Sequence, residues 1–98
     1  MGYIRHHAIV VTGNEEDIIP AHQLAKVVFG DLVSNIVPSI INGYQSFFIA
    51  PDGSKEGWFY SGIGDENRDN FINNVENVSY AELYYGDDNR QSEVTRHN

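Results

Sequence analysis

Apolar residues fall in short runs separated by turn residues, and two segments carry them at helical spacing. Tyr3 to Gly13, YIRHHAIVVTG, is rich in β-branched and aromatic residues and ends on a Gly-Asn turn, which predicts a strand. Its second half, AIVVT, is apolar on both faces, as in a central strand. In NEEDIIPAHQLAKVVFGD, Ala21, Leu24, Ala25 and Val28 share one stripe of a helix. Glu15, Glu16 and Asp17 suit its positive end, Pro20 its first turn and Gly30 its C-terminal cap.

Asn42-Gly43 between two apolar runs predicts a hairpin, and Pro38 demotes the first of its strands to an edge. YQSFFIAP continues as a strand to a second turn at Asp52-Gly53, with GWFYSG, Gly57 to Gly62, as the answering strand. The stretch SFFIAPDGSKEGWFYS therefore reads as a β-hairpin. GDENRDNFINNVEN predicts a second helix, capped by Asp65 and facing inward with Phe71, Ile72 and Val75. Its asparagines are poor helix formers, so packing must hold it. Val78 to Tyr85 alternates as the last strand, with small Ala81 and Leu83 expected on the helix-packed side.

The order β-α-β-β-β-α-β predicts an α+β two-layer sandwich, a ferredoxin-like split β-α-β with an extra hairpin strand. Both helices should cover one face of an antiparallel-rich sheet. Residues 1–86 form one domain and 87–98 a polar, flexible tail in which Val94 and His97 could dock. The other sheet face is too apolar for water alone, which predicts a homo-oligomer.

Composition narrows the classes. The 98 residues include no cysteine, excluding a thiol nucleophile and a Cys-based zinc site. No apolar run has membrane-spanning length, and MGYIRHH lacks a signal-peptide core. Fourteen acidic and six basic residues give a net charge of −8. Duplex binding needs a clustered basic stripe, so direct nucleic-acid binding is not expected.

Three places could carry chemistry. Adjacent His6 and His7 point to opposite faces of a strand, so they cannot chelate one metal side by side, and a third ligand would have to come from His22 or His97. The turn SGIGDENR could present free amides, Ser61 and Arg68 to an anion, although Asp65 as the cap would repel it. Lys55 and Trp58 beside the second turn could stack a planar ring and grip its phosphate. These residues, with His7 and Tyr44 behind them, make the expected ligand site: Lys55, Trp58, Ser61, Arg68, His7 and Tyr44. No catalytic motif, metal set or cofactor fingerprint stands out.

The stretches HHAIVVTG, NGYQSFFIAPDGSKEGW and GDENRDNFI resemble a family of small proteins of tailed bacteriophages. The resemblance implies a cytosolic accessory protein made inside the host, for takeover or counter-defence. The leading expectation is an oligomer that sequesters a small anionic, nucleotide-like ligand without catalysis. The alternative is a module that inhibits a host protein through its open sheet face. A third is a cyclic-nucleotide hydrolase using His6 or His7 as base.

Overall fold

The computed structural model describes residues 5–55, 57–86 and 91–98. The elements follow as β1 (His6–Asn14), α1 (Glu15–Phe29), a 3-10 turn (Gly30–Leu32), β2 (Val37–Pro38), β3 (Tyr44–Ile49), α2 (Phe59–Asn74), β4 (Ser79–Tyr85) and β5 (Glu93–His97). The strands lie in the order β2-β3-β1-β4-β5, every neighbouring pair antiparallel. β3 sits between β2 and β1, and β1 sits between β3 and β4, so two β-α-β units interleave. This is the ferredoxin-like two-layer sandwich expected from the pattern. The expected start of the first strand at Tyr3 and Ile4 lies outside the described residues.

Local chemistry explains the N-terminal half. The Asn14 side chain accepts a hydrogen bond from the Asp17 amide (2.9 Å) and caps α1. Gly30 closes the helix at φ 61°, its amide bonded to the Lys26 carbonyl. Pro20 lies in the second turn rather than the first, where it removes one helical hydrogen bond. Asn42 and Gly43 both take positive φ (67° and 70°), as a tight hairpin turn requires. Pro38 sits, as expected, on a two-residue edge strand.

Two expectations are corrected. The segment 57–62 is not a strand, so no hairpin follows the Asp52-Gly53 turn. The turn itself forms: Gly53 has φ 80° and Asp52 Oδ1 accepts from the Ser54 amide at 2.9 Å. Trp58 then serves as the N-cap residue of α2, which begins at Phe59, six residues before the expected cap at Asp65. Ser61, Gly64, Arg68 and Phe71 recur at i, i+3, i+7 and i+10 as the buried stripe of this helix. The period is helical, but small and polar residues carry its first half. The extra strand is instead C-terminal: Glu93–His97, within the expected polar tail, pairs with β4.

Cross-strand register sorts the two faces. Ile9, Val11, Phe47 and Ile49 face the helices and join Ile18, Ala21, Ala25, Val33, Phe71 and Val78 in the core. The same parity places Tyr80, Glu82 and Tyr84 on the helix side, opposite Val11, Ile9 and His7. Ala81 and Leu83, expected there, lie on the open face with Tyr85, Val10 and Phe48. The reversal has an ionic cause, since Glu82 is buried against arginines rather than against apolar groups.

Phe71 is fully buried and meets Phe29 edge-on at 5.9 Å between ring centroids. Phe71→Ala should cost about 3–5 kcal/mol, whereas Val27→Ser, at an exposed position of α1, should change stability by less than about 0.5 kcal/mol. Urea unfolding of the two variants checks both.

Candidate functional site

The densest group of interacting polar side chains lies on the helix side of the sheet, where α2, β4 and β5 meet. Glu82, in the middle of β4, is 4% exposed and Arg68, on the buried stripe of α2, is 7% exposed. Arg96 of β5 grips the Glu82 carboxylate with two parallel bonds, Nε to Oε1 at 2.8 Å and Nη2 to Oε2 at 2.6 Å. Thr95 Oγ1 adds a third donor to Oε1 at 2.7 Å, and Arg68 Nε lies 3.7 Å from Oε2.

A bulge makes this convergence possible. Glu82 pairs with Arg96 and Leu83 with Val94, so Thr95 is the extra residue and both it and Arg96 reach one carboxylate. Arg96 Nη1 continues to Asp69 Oδ1 at 2.6 Å, and Arg68 Nη2 donates to Asp65, one turn along α2.

Beside this network, the Tyr84 ring holds the Arg5 guanidinium 3.5 Å from its centroid and stacks with the His7 imidazole at 4.1 Å. Arg5 also donates to the Gln91 carbonyl (3.2 Å) and to Glu93 (3.4 Å), tying the start of the described chain to the start of β5. His7, Asp65, Arg68, Asp69, Glu82, Tyr84, Thr95 and Arg96 line a cleft of about 340 Å³.

Burial alone would push the Glu82 carboxyl up. Hydrogen bonds from Arg96 and Thr95, with the charges of Arg96 and Arg68, outweigh burial and hold it below the usual carboxylate range. The bond to Glu82 raises Arg96 against the opposing effect of burial, and Asp69 raises it further. A carboxylate held ionised in this way is a poor general base, so the cluster is built for ion pairing rather than proton transfer.

Of the six expected ligand residues, His7 and Arg68 line this cleft together and the other four lie outside it. Lys55 contacts Trp58 instead, its Nζ 5.6 Å from the ring centroid. Ser61 is buried inside the first turn of α2, and its amide, like that of Gly62, bonds to the Trp58 carbonyl. The expected anion loop at 61–64 is therefore helix, with those two amides already used. Tyr44 pairs with Asn14 at the far end of β1 from His7, about 23 Å along the strand. It also lies on the open face, because the parity of Phe48 fixes that of Tyr44.

His6 packs 5.3 Å from Tyr85 on the open side of the sheet. His22 bonds the Ser34 carbonyl at 2.9 Å and sits edge-on to Phe47, far from both of the adjacent histidines in the fold. Among the described residues, no group of three or more histidines and carboxylates is placed to hold a metal ion, and no helix is long and apolar enough to cross a membrane.

Sequence reasoning missed Glu82, Thr95, Arg96 and Asp69. The available signal was a lone carboxylate at mid-strand on the same parity as two tyrosines, in a chain with few basic residues. Comparison with protein-family models, curated proteins and solved structures finds no match to this chain.

Glu82→Gln should destabilise by about 3 kcal/mol, since it leaves two guanidiniums facing a neutral amide. The folded carboxyl lies below its unfolded value, so its stabilisation is complete above about pH 4.3 and is lost as pH falls through the lower folded value. Thermal melts across pH 2 to 7 (a range of about five units) should therefore show a shallower acid loss in the variant than in the wild type.

Proposed function

We propose that the protein is a non-enzymatic binding module that docks another protein chain on the start of α2. The observation that supports this reading is the inverted amphipathicity of the helix. Its first turns bury Ser61, Gly64 and Arg68 and expose Phe59 (80%), Tyr60 (67%) and Ile63. Trp58 extends the same patch.

The inversion has a structural origin. A Cβ at Gly64 would stand 2.9 Å from Asp52 Oδ2 and 3.1 Å from Arg68 Nη1, so glycine lets the helix approach the 52–54 turn while Arg68 reaches Glu82. That commits the polar face inward and leaves the aromatic face in water. Such a patch on a small chain marks a contact surface. Beside it, Val28, Phe29, Leu32, Tyr60 and Ile63 frame a crevice of about 120 Å³ with Asp52 at its edge. Exposed Asp65 and Glu66 lie on the adjoining turn. The matching partner presents an apolar side chain flanked by basic residues, and on the resemblance to phage accessory proteins it would be a host protein.

A second reading is kept because His7 and Arg68 do share the cleft over Glu82. A small anion there would bind Arg96 and Arg68. It ranks second because each guanidinium already faces a carboxylate, so an anion would have to displace Asp65 or Asp69. A rise in melting temperature with added nucleotide that Arg96→Ala abolishes supports this reading; no rise in the wild type removes it.

For the leading reading, a Phe59→Ser, Tyr60→Ser double variant should keep its stability within about 1 kcal/mol, since both side chains are already largely in water. Quantitative affinity capture from host extract should show a stoichiometric partner on the wild type and at least about tenfold less on the variant. Equal capture by both proteins would sink the proposal.

A further inference from the structure

The open sheet face is a second, separate uncovered surface, and its charge pattern identifies its occupant. By strand parity it carries Val10 and Phe48 at its centre, Leu83, Tyr85 and Val94 toward β5, and His97 at the edge. Among the described strand positions on this face there is no Asp, Glu, Lys or Arg. This holds in a chain with 20% charged residues and a net charge of −8. Two copies repel one another over most of their surface, whereas here they can meet without burying a charge. We propose that this face is covered by a second copy of the same chain.

The register supplies the fit. Phe48, Val10, Ala81 and His97 form one row across the sheet, with β1 the middle strand of five. A two-fold axis along β1 in the interface places β3 of each copy over β4 of the other. Phe48 then sits over Ala81, a large side chain above a small one, twice by symmetry. Val10 faces its own copy at the axis. Along β4 from Ala81, a hollow of about 400 Å³ lined by Leu83, Tyr85, Ser92, Glu93 and Val94 gives the partner ring space, and the one carboxylate in its wall, Glu93, is paired with Arg5.

Val10 and Phe48 are 37% and 38% exposed, so the sheet alone leaves its centre wet. The face is roughly 20 Å on a side from strand spacing and rise. Its plane area of about 400 Å², before side-chain relief is counted, approaches the smaller stable interfaces, which bury about 600 Å² per partner. The sheets would pack face to face about 10 Å apart with the usual twist between them.

Sedimentation equilibrium at micromolar concentration should give twice the 11.0 kDa chain mass for the wild type and the single mass for Val10→Glu. Far-UV circular dichroism of that variant should be unchanged, because a carboxylate at this half-exposed position reaches water in the monomer. A monomeric wild type, or a dimer that survives Val10→Glu, overturns the proposal. If Val10→Glu fails to fold, Val10→Cys decides the matter, since the chain has no other thiol. A bismaleimide spanning about 10 Å should join two copies through position 10 and should not join copies of Glu66→Cys on the outer side of α2. Absence of the position-10 cross-link, or equal cross-linking of both variants, rejects the two-fold along β1.

Discussion

The fold depends on one buried carboxylate. Glu82 is the point where β4, α2 and β5 are tied together, through Arg68 from the helix and Thr95 and Arg96 from the last strand. The hydrophobic core is made by β1, β3 and α1 with Phe71 of α2 and Val33 and Val78 beside them, and no residue of β5 belongs to it. The last strand is thus held by its ladder, by this ion pair and by the Asn98 amide, which donates to the Val78 carbonyl at 2.6 Å. A buried ion pair need not exceed an apolar replacement in net stability, but it fixes geometry because misplacing either partner strands a charge. Here that geometry decides which side of β4 faces in.

From this follows the unusual surface of α2. Once Arg68 must reach Glu82, the helix can present only the residues at 61, 64, 68 and 71 to the sheet. Phe59, Tyr60 and Ile63 are then turned outward by the period of the helix. The exposed aromatic patch and the buried salt bridge are one feature seen from two sides.

This also explains what could be read in advance. β1, α1, the Asn42-Gly43 hairpin, the weak edge at Pro38 and the alternation of β4 were legible because hydropathy or turn chemistry sets each of them locally. The two-layer fold follows from their order. The stretch after Asp52-Gly53 misled because Trp58, Phe59 and Tyr60 favour strands locally, while tertiary pairing of a polar stripe makes them a helix start. The faces of β4 are the reverse of what hydropathy predicts, which places Leu83 inside and Glu82 outside. Only the two arginines, one of them in a segment that reads as a tail, make the opposite arrangement favourable. The expected ligand group dispersed for the same reason, since it rested on a hairpin that helix α2 replaces.

The internal use of arginine shapes the exterior as well. Three of the six basic residues, Arg5, Arg68 and Arg96, are ion-paired in or beside the Glu82 network. Of the carboxylates they pair with, Glu82 is buried while Asp65, Asp69 and Glu93 are more than half exposed. With these arginines committed, the outer surface is left with Lys26 and Lys55 among the described residues against many exposed carboxylates. The field around the molecule is therefore dominated by negative charge, which disfavours phosphate backbones and unselective self-association alike. Two apolar patches interrupt that surface: the uncharged sheet face, and the aromatic start of α2 with its acidic border. They differ in what they admit. The first is neutral, the character proposed above for contact with an identical copy, and the second has a negative rim, the character proposed for a basic-flanked partner, so the two proposals draw on separate surfaces of one fold.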